Sequence, residues 1–382
     1  MNRNNNYTID PLEISIALIA FIIGVGILTL PGSLADTLNT ADGWITIIVG
    51  GSIIFTLVYV TVRLQKEFPE QTLLQFLLAG HKSKWLAVLL GVLFSLHFLM
   101  LMGFESRMLA IVLDMYLIDR TPSVIVICAI LVVTSYAVSK GVQGLIHLNV
   151  LFIPFILTVL LAILLFNVQH INFDPIRPVA PKGFLHPLKG LPNVVLAYVG
   201  VEILLFFMGR MKGKDVKAWP LNIGVGIVTL FYFLITFFTY FVFGVEQSKV
   251  INFTTVELAK VVEVPGGFFE RVESMMITVW TMAIFNTIAM SQLIIILIYN
   301  DLFSIFKKQT QSGNYLTPVI VFITIIIAFI PESISDTLTW GDWIGYFGFS
   351  VLILSLLVGY VTVGWRKKRR ELGDRHGEST KA

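Results

Sequence analysis

Hydrophobic residues run along the chain in ten long blocks, at about 12–34, 44–62, 85–113, 122–138, 145–166, 191–208, 219–244, 268–303, 316–330 and 343–365. A helix needs about 20 apolar residues to cross the hydrocarbon layer of a bilayer, so the blocks predict ten membrane-spanning helices. The third and eighth are long enough to tilt strongly or to extend past the bilayer. The ninth is short and is bracketed by Pro318 and Pro331. The longest weakly hydrophobic run, Val168 to Lys189, is too small for a separate globular domain, which leaves a single membrane domain over 1–382.

Composition agrees with the pattern. Of 382 residues 56% are hydrophobic and 13% charged, with a mean hydropathy of +0.84, against about 25% charged in a typical soluble domain. Cys128 is the single cysteine, which excludes an intrachain disulfide and a cysteine-rich metal site. No nucleotide loop, zinc spacing or nucleophile arrangement occurs, so no enzyme activity, cofactor or metal is expected. The N-terminal MNRNNNYTIDPLE has no small-residue cleavage site and reads as a cytoplasmic tail leading into a retained helix.

Lys and Arg set the expected orientation. With the N-terminus inside, nineteen of the 27 fall in inner loops and tails, seven in outer loops, and Arg107 within a span. The run Arg366 to Arg370 follows the last block directly, opening a cytoplasmic tail over 366–382 that suits a membrane surface better than nucleic acid. Both termini inside requires an even number of spans, which retains the ninth.

GVGIL at 24–28 lies near the middle of the first block and GVEIL at 200–204 near the middle of the sixth. Five spans per half bring the second copy into the membrane from the opposite side, as in inverted-topology repeats. The repeats are expected at about 12–167 and 188–365. Gly24, Gly26, Pro31 and Gly32 make the first block a candidate broken helix, the alternative being close packing through small residues. Gly200 and Glu202 repeat the device in the sixth.

An ionised carboxylate in hydrocarbon costs at least about 2.5 to 3.5 kcal/mol, so Glu202 must face the interior, be partnered or be protonated. It either lines a pocket and meets a ligand amine, a cation or a proton, or anchors amides of the unwound first segment. Glu105 and Arg107, two apart on one helix, project in different directions and need partners elsewhere. His97 and His147 are expected as core histidines bonded to neighbouring helices. The outer region from Val250 to Arg271, with a PGG turn at 265–267, reads as a lid element or as a solvated loop. Trp280 and Phe285 are expected to pack, Phe285 deep enough to touch a central pocket.

GVGILTLP at 24–31 resembles the broken first helix of the amino acid, polyamine and organocation transporter superfamily. Together with FPEQTLLQF at 68–76, GVEILLFF at 200–207 and ERVESMMITVW at 270–280, it is similar to the B subunits of the nutrient germinant receptors of endospore-forming bacteria. The resemblance runs from about Tyr7 to Arg370. One departure is FFMGRMKG at 206–213, where a proline is expected soon after the glutamate.

The resemblance implies an all-α membrane protein of ten helices similar to the bacterial leucine transporter. It also implies binding of a small amino acid or nucleoside, assembly with an A subunit and a lipoprotein C subunit, and a place in the spore inner membrane. It puts ligand contacts around Gly24, Gly26 and Ile27 of the first break and Val199, Gly200 and Glu202 of the sixth. His97, Leu101 and Phe285 follow from helix depth. Three functions compete: a ligand-binding receptor subunit, a proton-coupled amino acid permease with Glu202 as proton site, and a scaffold for the partner subunits.

The charge bias makes a direct prediction about topology. A cysteine introduced at Asn39 should react with an impermeant thiol reagent from the outer side, and one at Ser312 should not. Reaction at Ser312 and not at Asn39 would reverse the assignment, and reaction of both would overturn the span count.

Overall fold

The computed structural model of the protein describes residues 7–24, 26–80, 83–172, 174, 178–262, 271–303 and 313–379, the side chains of 313–314 and 370–379 excepted. Ser312, Glu270 and the PGG turn lie outside the described residues. Those residues form helices and turns, with no strand among them.

Among the described residues six helices are long and apolar enough to cross a membrane: α3 (Gly43–Gln65), α5 (Lys84–Tyr116), α7 (Gly141–Phe166), α10 (Ala218–Val250), α12 (Val272–Phe303) and α14 (Ile334–Ser379). Two more apolar stretches are bent pairs. The first joins α1 (Pro11–Ile22) to α2 (Gly26–Leu38) with a 54° bend; the second bends by 50° between 186–197 and 201–210, and contains α8 (Leu191–Ala197) and α9 (Leu204–Phe207). Two shorter apolar helices are α6 (Ser123–Val138) and α13 (Gly313–Ala328), while α4 (Leu73–Leu78) and α11 (Thr254–Lys260) are short connectors.

Local chemistry explains the boundaries. Pro11 takes the first position of α1, where a missing amide costs nothing, and the Glu13 carboxylate accepts the Asp10 amide at 2.9 Å. The sequence Thr72-Leu-Leu-Gln75 is a capping box: Thr72 Oγ1 accepts the Gln75 amide at 3.2 Å and Gln75 Oε1 accepts the Thr72 amide at 3.1 Å. The apolar block that ends at 244 ends at a real feature, since Gly244 has φ 73° and kinks α10, which then continues to Val250. The last helix starts nine residues before its apolar block, because Asp336 and Ser333 cap it.

Helix α10 runs parallel to the first bent pair and splints it. Ser15 donates to the Pro220 carbonyl at 2.9 Å, Tyr232 donates to the Ile22 carbonyl at 2.9 Å, and Tyr240 donates to the Pro31 carbonyl at 3.0 Å. On another side lies α12, buried along most of its length and packed against α5 and α7.

The ends of the bundle are tied. At the end carrying the N-terminus, Asp301 accepts from Thr72 at 2.8 Å and Gln75 at 2.7 Å, Gly209 sits against the backbone of Gln71 and Thr72, and the Ile9 amide donates to the Arg210 carbonyl. The FFMGRMKG stretch therefore needs no proline: it turns into a short 3-10 segment at Met208–Arg210 and is wedged in place. At the other end Tyr116 donates to Glu257 at 2.8 Å, fastening α11 to the tip of α5.

Gly200 has φ +129°, and a Cβ there would fall 2.5 Å from Phe21 Cδ1. Both the backbone and the space exclude a side chain. Gly200→Ala should therefore lower the amount of folded protein recovered from membranes severalfold. Gly364→Ala, where a Cβ meets nothing within 4 Å, should leave it unchanged in a detergent size-exclusion assay.

Candidate functional site

The two breaks face each other in the middle of the bundle. Gly24 and Gly26 come from the first and Leu196 and Val199 from the second, with Leu101 and Glu105 of α5 and Thr287 of α12 closing the sides. They enclose a cavity of about 10 Å³, which is at the lower limit for one water molecule. The structure is thus closed around its centre.

Helical spacing puts Glu105 there. His97, Leu101 and Glu105 fall at i, i+4 and i+8, so they share one face of α5 and that face meets the breaks. The Glu105 side chain is buried, and a Cβ on Gly24 would fall 2.7 Å from its Oε1. Arg107 points elsewhere, its guanidinium 5.4 Å from the Phe329 ring centre. The two charges do project apart, as their spacing requires.

Glu202 has a different task. Its Oε2 accepts the Gly200 amide at 2.8 Å and its Oε1 lies 3.0 Å from His97 Nε2, with the two side chains 4% and 0% exposed. The amide it holds belongs to its own break, not to the first segment. His97 is a core histidine, bonded across to the second broken pair. His147 is not: its side chain is 57% exposed, 3.8 Å from Glu13 and edge-on to Tyr7 at the rim of the bundle.

Several carbonyls at the first break are met by side chains. Trp280 Nε1 donates to the Gly24 carbonyl at 3.2 Å and Thr287 to the Phe21 carbonyl at 3.1 Å, both from α12. Pro31 has no amide to offer the Ile27 carbonyl one turn before it. Thr255 of α11 donates to that oxygen instead, at 2.6 Å, and Thr254 to the Leu28 carbonyl at 3.1 Å. The region after Val250 is therefore docked on the first broken pair as far as α11.

Of the residues expected at the site, Gly24, Gly26, Leu101 and Val199 line the cavity. Ile27 is buried beside it and presents its carbonyl to α11. Gly200 forms the turn, and Glu202 with His97 holds the turn in place. Phe285 packs on Phe152 of α7, with ring centres 6.0 Å apart, and faces away from the breaks. Glu105, Tyr232, Trp280 and Thr287 enter from tertiary structure. For Glu105 a sequence signal existed, the i, i+4, i+8 stripe with His97 and Leu101.

A second space of about 330 Å³ lies between α3, α8 and α14, lined by apolar side chains and reaching Val199 and Glu202. Among the described residues no group of three or more His, Cys, Asp or Glu side chains gathers as a metal site would require.

Two bent pairs meeting at a central cavity, within a bundle of long apolar helices, give the fold of a multi-pass membrane protein. The structure superposes on a substrate-bound, outward-open Na+-coupled sialic acid symporter with a TM-score of 0.68 at 15% identity, covering 92% of this chain and 79% of that one. The family follows from the sequence: residues 8–337 match the model described as spore germination protein, and the chain belongs to that family. It is 26% identical over 362 residues to spore germination protein YndE of Bacillus subtilis (strain 168), covering 94% of this chain and 97% of the relative. It is 28% identical to spore germination protein GerLB of Bacillus cereus over 364 residues, or 95% of each chain.

The geometry separates two roles for Glu202. Gln keeps an oxygen for the Gly200 amide and a group for His97, whereas Ala leaves both unmatched at about 1 to 3 kcal/mol each. Glu202→Gln should accumulate and melt close to the parent protein, and Glu202→Ala should accumulate poorly. A Gln variant that melts many degrees lower would show that the charge itself holds the turn.

Proposed function

We propose that this protein is the nutrient-sensing membrane subunit of a spore germination receptor, a binding protein and not an enzyme. A small nutrient enters between the two breaks and is held by the backbone and side chains of Gly24, Gly26, Leu101 and Val199. The observation that carries this reading is the meeting of two broken helices at a cavity that also holds a buried carboxylate, Glu105. Broken helices expose peptide groups that a small polar ligand can use, and a carboxylate beside them suits an ammonium group. An amino acid therefore fits better than a nucleoside, with an aliphatic side chain against Leu101 and Val199.

The wider architecture is part of the proposal. Six long spans, two bent pairs and two shorter apolar helices make ten crossings, arranged as two inverted five-helix repeats over about 12–167 and 188–365. An even count returns the C-terminus to the side of the N-terminus, and the basic residues favour the cytoplasm for both. Family membership supports the spore inner membrane as location and an A subunit and a lipoprotein C subunit as partners.

Closure around a space for one water supports a ligand-free resting state that a nutrient must open, shifting the receptor by its preference for the open form. The likeness to a Na+-coupled symporter favours one other reading, coupled transport through the same site.

Purified protein in proteoliposomes separates them. We expect saturable binding of a radiolabelled aliphatic amino acid such as L-valine, without accumulation against its gradient, and at least tenfold weaker binding in Glu105→Gln. Concentrative uptake would establish the permease, and neither binding nor uptake would leave a scaffold.

A further inference from the structure

Tyr232 occupies an unusual position between the two breaks. Its ring is 1% exposed, and its hydroxyl lies 2.9 Å from the Ile22 carbonyl of the first broken pair and 2.9 Å from the Ala197 carbonyl of the second. Ile22 is the last residue of α1 and Ala197 the last of α8. Both oxygens are therefore helix-terminal carbonyls that have lost their partners one turn on. A tyrosine hydroxyl carries one proton, so here it serves two acceptors that belong to different broken helices.

The surroundings press the two parts together at this point. A Cβ on Gly26 would fall 2.7 Å from Ala197 Cα and 3.1 Å from the Tyr232 hydroxyl. Tyr198, next to Ala197, stacks edge-on with Tyr232 at 5.6 Å and bonds Thr229 of the same helix at 2.7 Å. Helix α10 thus grips the second break at two adjacent residues while lying along the first. Elsewhere it holds one part at a time: Tyr240, two turns on, bonds the Pro31 carbonyl alone.

We infer that Tyr232 is a positioning residue that ties the two broken helices to each other through a single shared proton and so holds the central cavity shut. Opening the cavity far enough for a nutrient separates Ile22 from Ala197, and the hydroxyl then keeps one carbonyl and releases the other. The tether adds to the closed state and disappears from the open one, which makes it a contribution to the threshold for response. This rests on the proposed ligand site only for its consequence; the tether itself can be tested without ligand.

The test uses the full chain in detergent, where both faces meet the reagent, with Cys128→Ser and Leu101→Cys as background so that the only thiol lies in the cavity wall. The rate of reaction with a water-soluble maleimide reports opening. One net hydrogen bond of about 0.5 to 1.5 kcal/mol corresponds to about a two- to tenfold change in the open fraction, and Tyr232→Phe should raise the labelling rate by that factor. Gly26→Ala, whose Cβ would press on Ala197 and on the Tyr232 hydroxyl while leaving that hydroxyl in the protein, should raise it too. Tyr240→Phe, which removes the same group from a bond to one part only, should leave the rate at the background value.

A Tyr232→Phe rate equal to background overturns the inference, and so does an equal rise in Tyr240→Phe, which would mean general loosening. Should Tyr232→Phe fail to accumulate, Gly26→Ala decides alone, and an unchanged rate in it overturns the inference. Nutrient binding is measured separately on the parent protein. Its absence together with faster labelling of Tyr232→Phe would remove the proposed function and leave the tether; its presence with unchanged labelling would do the reverse.

Discussion

A peptide group at membrane depth has no water to turn to, and much of this structure near its centre answers that constraint. Breaking two spans releases carbonyls and amides that an unbroken helix would have matched internally. The protein supplies partners from four elements. Helix α12 gives Trp280 and Thr287, α11 gives Thr254 and Thr255, α10 gives Tyr232 and Tyr240, and the second broken pair supplies Glu202 for its own Gly200 amide. Each partner is a side chain, so each can let go. A backbone ladder would be stiffer, because its bonds form and break together.

The same constraint sorts the two buried glutamates. Glu202 is used up locally, one oxygen on an amide and the other on His97. Glu105 stands in the cavity wall beside Gly24. A carboxylate in low dielectric costs several kcal/mol unless it is matched, and the two sites meet that cost in different ways. One fixes a turn; the other stands in the wall of the space between the breaks. Small residues make this arrangement possible, since Gly26 lets the first broken pair approach Ala197 and Gly200 lets the second approach Phe21.

Ties at the two ends of the bundle brace the elements around the cavity. Asp301 joins the capping box of α4 to the end of α12, and Gly209 of the second broken pair rests on that same turn. At the far end, α11 covers the carbonyls of α2 and is fastened to α5 through Glu257 and Tyr116.

The sequence by itself determined the class of the protein, because the bilayer leaves so few options. Long apolar blocks must be helices, glycine and proline inside such a block mark a break, and a lone Glu in the sixth block must find a partner inside the bundle. The motifs that resembled germinant-receptor subunits led to the family that the chain belongs to. Partner choice was another matter. That Glu202 meets His97 and Gly200, that Phe285 faces α7, and that His147 sits at the rim depend on which faces of which helices meet. Periodicity cannot reveal this in helices that are apolar all round, since no polar face marks the outside. The roles of Tyr232, Trp280 and the two threonines of α11 were least legible of all. Tyrosine, tryptophan and threonine read as ordinary packing residues until folding brings a broken backbone within reach of their single hydrogen-bond donors.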